Sequence, residues 1–392
     1  MSLNSTPSSE RTHIGIFGRR NAGKSSLINA LTGQNLAIVS DVRGTTTDPV
    51  FKAMELLPLG PVVMIDTPGL DDTGELGKLR IQKAYQVLNK TDIAVLVVDG
   101  TTGITPQDNA ILTRIQDKKI PLLLVLNKAD LVSEHVHQEM IVSTHLKYKI
   151  PLENILWTNT TEHLHIHELK ERLGSLVPSE DSSRFIVRDL VKPGFCRAGV
   201  PIDSAAPKGR LILPQQQTIR DLLDAGTTAI VVKETELKST LDSLGKKPAL
   251  VITDSQAFKE VDKDTPSDIL LTSFSILFAR YKGNLETVVR GARALDTLED
   301  GDTILISEGC THHRQCDDIG TVKLPRWVCE YTGKDVSFEF TSGTEFPLDL
   351  TRYKMIIHCG GCMLNEREMK YRLKCADDAD IPITNYGTAI AY

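Results

Sequence analysis

Six of the seven cysteines in this chain, Cys310, Cys316, Cys329, Cys359, Cys362 and Cys375, fall in its C-terminal part, and Cys196 stands alone. Two of them form the turn Cys359-Gly-Gly-Cys362. A CxxC pair suits a redox disulfide, a zinc knot or an iron–sulfur site. Cys310, in EGCTHHRQCDDIG, adds a third thiolate, with His312 beside it and His358 just before the CxxC pair. Three thiolates and one weak ligand would leave one iron of a 4Fe-4S cluster addressable. Zinc would need a fourth protein ligand, and His312 or His358 could complete it. A redox pair would leave Cys310 without a role. On the residues alone all three readings stay open. An odd number of cysteines and no export signal argue against a disulfide scaffold.

A second chemistry sits near the start. Gly18 to Ser25 read GRRNAGKS, the GxxxxGK[ST] pattern, between the apolar run THIGIFG and the helical SLINALTG. In a strand–loop–helix context the backbone N–H groups wrap phosphates, Lys24 charges the β/γ-phosphates and Ser25 offers a hydroxyl to magnesium. Gly18, Asn21, Ala22, Gly23, Lys24, Ser25 and Ser26 are the expected nucleotide contacts. VVMIDTPG ends an apolar strand at Asp66, a second magnesium contact, with Gly69 placed to report the γ-phosphate. In RGTTTD, Thr46 is the expected magnesium-contacting threonine, with Thr45 and Thr47 as neighbours that could substitute. IPLLLVLNKAD closes another buried strand on Asn127, Lys128 and Asp130, and WTNT adds Thr158 and Asn159. Lys24, Thr46 and Gly69 are thus the catalytic set. Leu70 follows DTPG, so no side chain there orients a water. Hydrolysis should be slow, and the nucleotide should act as a switch. His163, His165 and His167 alternate in a stretch that reads as a solvated loop before a helix.

These residues need elements to position them. At 392 residues the chain is too long for one core. An α/β protein of three domains is expected: a P-loop GTPase fold over 8–176, then two smaller parallel-sheet α/β domains over 184–264 and 265–392. The polar break GSLVPSEDSSR separates the first from the second. In the middle domain TIRDLLDAG, TAIVVKE, ELKSTLDSLG and PALVITD alternate helix and strand, and VPIDSAAPKGRLILPQQQ suggests a subunit-contact surface. In the last domain GDTILIS and KMIIHC are apolar strands that run into Cys310 and Cys359. Ligands at the carboxyl ends of parallel strands share one crevice, and the helix after Cys362 directs its positive end at thiolates. A net charge of −6 without a basic stripe argues against nucleic acid. No apolar run suits a membrane helix and the first residues lack a signal-peptide core, so a cytoplasmic location is expected.

Residues 12–173 resemble the translation-factor-related GTPases of the Era and tRNA-modification type. In that family the aspartate of NKAD, here Asp130, accepts from guanine and selects GTP over ATP. The family's potassium-activated members use the asparagine matched by Asn21 to hold K+, which takes the charge role of an arginine finger. CTH, 45 residues and then HCGGC resemble the CxH…HCxxC signature of the FeFe-hydrogenase maturation GTPases, and this likeness extends over nearly the whole chain. It implies a 4Fe-4S cluster on Cys310, Cys359 and Cys362 in a homodimer formed through the middle domain. It also implies a scaffold that receives a diiron subcluster precursor and delivers it to apo FeFe-hydrogenase, with radical-SAM maturases upstream. GTP/GDP, Mg2+ and K+ would serve the switch. The fourth cluster position is expected to be exchangeable, taken by a carboxylate or water. Asp317 is favoured there, with Asp318, His358 and His312 as other candidates. A potassium-activated GTPase of RNA modification or ribosome assembly with a structural metal site is the alternative, and an electron-transfer protein with a vestigial GTPase a third.

Overall fold

The computed structural model describes residues 6–33, 49–69, 81, 83–177, 184–191, 194–202, 211–309, 318–343, 345–347 and 349–392, with backbone alone for 194–202. The chain divides into two compact units, Met1–Glu180 and Asp181–Tyr392.

The first unit holds strands β1 (Thr12–Phe17), β2 (Val50–Leu56), β3 (Gly60–Asp66), β4 (Ile93–Asp99), β5 (Leu122–Asn127) and β6 (Ile155–Thr158). They form one sheet in the order β2-β3-β1-β4-β5-β6. Only β2 runs antiparallel to its neighbour. Strands β4 and β5 are apolar along almost their whole length because cores cover both faces of the sheet. This is the P-loop GTPase architecture expected from the sequence.

The second unit holds two four-stranded sheets. One contains β7 (Gly194–Ile202), β8 (Thr227–Lys233), β9 (Leu250–Thr253) and β10 (Leu270–Ser273), in the order β10-β9-β7-β8. The other contains β11 (Thr303–Ser307), β12 (Ser337–Thr341), β13 (Met355–His358) and β14 (Ile383–Asn385), in the order β12-β11-β13-β14. Every pairing in both sheets is parallel. Each chain starts on an inner strand, adds one strand on one side and then crosses to the other. That reversal creates a switch point between β7 and β9 and another between β11 and β13, the places where α/β sheets open a crevice.

Two expectations need adjustment. Strand β7 carries Cys196 and pairs with both β8 and β9, yet its sequence GFCRAGVPI has no apolar alternation and was not expected as a strand. The boundary expected at 264/265 falls between two elements of one sheet, since β10 pairs with β9 residue by residue from Leu270 to Ser273. The helix after β10, α1 (Phe274–Lys282), is shared. Phe274, Leu277 and Phe278 enter the core of the middle sheet, while Ala279 enters a core of the third. Residue 275 adds polar ties: its carbonyl accepts from Asn385 Nδ2 at 2.8 Å and its hydroxyl from Gly387 N at 3.0 Å. Among the described residues no helix is long and apolar enough to cross a membrane.

Candidate functional site

The P-loop leaves β1 at the edge where β3 and β4 flank it. Its glycines are dictated by contact. A Cβ on Gly18 would lie 2.2 Å from the Val97 carbonyl oxygen, and one on Gly23 2.0 Å from Asn127 Nδ2, both at positive φ. Asn21, exposed, also takes a positive φ of 58°. Lys24 is buried and its Nζ donates to the carbonyls of Gly18 at 2.9 Å and Arg19 at 2.7 Å, lying across the loop. Ser25 Oγ donates to Asp66 Oδ2 at 2.9 Å, bringing the two expected magnesium contacts together. Burial pushes the Asp66 carboxyl above its usual range, against the pull of Lys24, Ser25 and Lys52. Its Oδ1 is buried with no hydrogen-bond partner. An orphaned carboxylate oxygen next to a hydroxyl is a donor set that fits a hard cation such as magnesium. Thr46 and Leu70 lie outside the described residues.

The NKAD segment splits into different duties. Asn127, buried, donates from Nδ2 to the Ala22 carbonyl at 3.0 Å and so braces the P-loop. Lys128, at φ 69°, donates to Asp99 Oδ2 at 2.5 Å. Asp130 is exposed in the short turn Ala129–Leu131, open to a ligand. Thr158 and Asn159, expected to face the base, are turned into the protein. Thr158 Oγ1 donates to Asn127 Oδ1 at 3.3 Å, and Asn159 Oδ1 accepts from Thr161 N at 2.9 Å. The three histidines at 163, 165 and 167 are exposed, and His165 Nδ1 bonds the Trp157 carbonyl at 2.9 Å.

At the third sheet's switch point, Ser307 of β11 stands opposite His358 of β13. The Cys359 N–H donates to the Ser307 carbonyl at 3.0 Å and extends that pairing. Cys359 Sγ then accepts two backbone N–H groups, from Gly309 at 2.9 Å and Gly361 at 3.4 Å. Cys310 follows Gly309 in the chain; with His312, Cys316 and Asp317 it lies outside the described residues. Cys359 packs against a core of the third sheet and Cys362 against that of the middle sheet, so the turn straddles both. Burial and the charge of Cys359 push the Cys362 thiol up to about 11. Cys359 Sγ receives two amide N–H bonds and Cys362 is too buried to ionise readily unaided, a pair whose second thiol a bound metal would deprotonate. Among the described residues, no three His, Cys, Asp or Glu side chains converge as a metal site.

His358 does not present a nitrogen to this site. It is 2 % exposed, Nδ1 donates to the Cys359 carbonyl at 2.7 Å, and Nε2 accepts from Arg372 at 2.9 Å. Asp318 is also committed, accepting from Gly320 N, Thr321 N and Thr321 Oγ1 as a helix cap. Four groups the sequence did not single out stand here instead. Arg372, fully buried on α2 (Glu366–Asp378), donates to Glu368, Ser307, His358 and Gly343. Glu308 sits two residues before Cys310, and its Oε1 accepts from Tyr386 OH at 3.1 Å. Burial and the charges of Cys359 and Glu308 hold the Tyr386 phenol far above its ordinary range, so it stays a donor. Lys282, from α1, donates from Nζ to the Cys362 carbonyl of the cysteine turn at 3.0 Å. The acid in SEGC was a visible signal for Glu308.

Residues 186–283 match the hydrogen maturase F dimerization domain, and residues 286–392 match the hydrogen maturase F tetramerization domain. The chain belongs to the hydrogen maturase F family. Residues 13–128 match a family described as 50S ribosome-binding GTPase. The chain is 33% identical over 167 residues to GTPase Der of Kosmotoga olearia, covering 41% of this chain and 37% of that protein. It is 40% identical over 126 residues to the tRNA modification GTPase MnmE of Laribacter hongkongensis, covering 32% and 28%. Era of Aquifex aeolicus bound to GDP·AlF4− superposes with a TM-score of 0.40 at 20% identity, over 66% of this chain and 99% of Era. The chain spans about a third of the length of the curated relatives it matches. The first unit is therefore a GTPase domain, and the second carries the self-association domains of the hydrogen maturase F family.

Proposed function

We propose that this chain is an FeFe-hydrogenase maturation GTPase acting as scaffold and carrier. Cys310, Cys359 and Cys362 would hold a 4Fe-4S cluster, and a diiron precursor would be received there as substrate and passed to apo-hydrogenase. The observation that carries the reading is the Gly309 N–H bond to Cys359 Sγ, because Gly309 immediately precedes Cys310 and both loops leave the same switch point. When bound, such a cluster supplies an iron with one exchangeable position. With both His358 nitrogens bonded within the protein, the oxygen donors Glu308 and Asp317 are the better candidates for that position. The protein's part is to seat the sulfurs, shield them between two cores and hold Tyr386 as a fixed donor on Glu308.

In the first unit, Lys24, Ser25, Thr46 and Asp66 would hold magnesium and the phosphates, Asn21 would hold K+, and Asp130 would bind guanine. Nucleotide state would govern encounters with apo-hydrogenase and the radical-SAM maturases. The GTPase, dimerisation and cluster domains would correspond to the three sheets, with β10 counted in the middle one. The match to a ribosome-binding GTPase family favours the alternative of a ribosome or RNA-modification GTPase with a structural metal, but that role leaves the two hydrogen maturase F domains unused. Co-expression with an FeFe-hydrogenase and its radical-SAM maturases, with hydrogen evolution as readout, tests the proposal. Activity should disappear with C359A and with K24A; full activity with C359A would overturn it.

A further inference from the structure

Lys282 ends α1 at the close of the dimerization-domain match, and only 3 % of it is exposed. An ammonium at that depth is costly unless its N–H donors are met. Lys282 Nζ donates to the carbonyls of Leu364 at 2.9 Å and Cys362 at 3.0 Å, and lies 3.5 Å from that of Gly361. An ammonium has three donors and no acceptor, so this arrangement matches it to three oxygens of one segment. That segment is the turn bearing Cys359 and Cys362. It bends at Gly361, with φ 65°, where a Cβ would meet the Met369 sulfur at 2.5 Å. The carbonyls gathered under Lys282 are those of the second half of the turn, from Gly361 to Leu364, on either side of the Cys362 side chain. The lysine comes from the middle sheet's helix, whereas the turn belongs to the third sheet.

We infer that Lys282 is a positioning residue for the cysteine site, clamping the Cys359–Cys362 turn and setting a fixed positive charge beside the anionic centre its sulfurs would hold. This rests on the cluster reading above. A centre ligated by three thiolates is anionic and gains a further negative charge on reduction, so a neighbouring cation favours the reduced state and raises the potential. A clamp alone would leave the potential indifferent to the charge at position 282.

The experiment uses the full chain, reconstituted anaerobically with iron and sulfide, as parent, Lys282→Met and Lys282→Arg. Methionine keeps length and suits burial; arginine keeps the charge. EPR-monitored redox titration gives the midpoint potential, and mass spectrometry of iron-free protein over a pH series gives the alkylation rate of the Cys362 thiolate, separated from the loss of thiolate that removing the Lys282 charge brings. Lys282→Met should lower the potential and, by loosening the turn, speed alkylation roughly tenfold. Lys282→Arg should restore most of the potential. A Lys282→Met protein with the parent's potential and alkylation rate overturns the inference, and equal potential losses in both variants overturn the charge role. A parent that takes up no iron–sulfur centre overturns the cluster reading itself, and the charge role with it; the alkylation rates still decide the clamp.

Discussion

Gly309 donates its backbone N–H to the Cys359 sulfur at 2.9 Å across 50 positions of sequence. The bond is a consequence of topology. β11 and β13 are parallel neighbours, with Ser307 opposite His358, so the loops leaving them start side by side. A sheet that reversed its order elsewhere would send these loops to different edges. The cysteine chemistry is thus placed by strand order, and the side chains around it refine the placement.

The nucleotide site makes the plainest prediction. A ligand at a hundred times its Kd stabilises the protein that binds it by about 2.7 kcal/mol. Lys24→Ala should lose most of the thermal shift given by magnesium and GDP, with the iron content of reconstituted protein unchanged. Differential scanning fluorimetry and iron analysis on one preparation check both halves.

Asp66 carries a pH signature. Its carboxyl is raised by burial, so the protonated form favours the fold: that stability is present at low pH and lost as pH rises through the folded value. Asp66→Asn mimics the protonated group. It should melt higher than the parent at pH 7 without magnesium or nucleotide, with the gap narrowing on acidification. It should gain nothing from magnesium–GDP. A variant less stable than the parent at pH 7 would contradict this.

Arg372 and Glu368 are a buried pair at 3.0 Å. Removing one partner of such a pair costs about 3–5 kcal/mol because the other charge is left uncompensated. Arg372→Leu should fall in that range in urea unfolding. Arg372→Leu with Glu368→Gln should cost less than the single change.

For the iron-free chain, the Cys362 thiol held near 11 gives a loss of stability at alkaline pH. The folded value lies above the ordinary one, so its contribution is intact below about 9 and fades as pH climbs toward 11. A shift of that size is worth about 2 to 3 kcal/mol. Cys362→Ala should remove that part of the alkaline decline, measured as the change in urea midpoint between pH 8 and 11.

The GTPase fold was legible because its glycines, Lys24, Ser25 and Asp66 stand at spacings that backbone contact enforces. Strands β11 and β13 were legible as apolar runs. Strand β7 was not, because glycines and Pro201 hide an inner strand behind a loop-like composition. The partner of β10 depends on pairing that no local pattern records. Nothing in RYKG or EREMKYRLK marks Lys282 or Arg372 as buried; their burial comes from packing against distant segments. His358 shows that a histidine beside a candidate ligand in sequence can have both nitrogens committed elsewhere. Thr158 and Asn159 brace their own neighbourhood for the same reason: buried polar groups bond to whatever is near.

In the function proposed above, sulfurs from two strand ends meet on one iron–sulfur centre. Anaerobic reconstitution followed by iron and sulfide analysis and EPR of the reduced protein tests it most directly, comparing the parent with Cys310→Ala and Cys359→Ala. The parent chain should carry about four irons and four sulfides with a reduced-cluster signal, lost in both variants. Tetrahedral zinc in the parent, or a cluster signal that survives without Cys310, would contradict it.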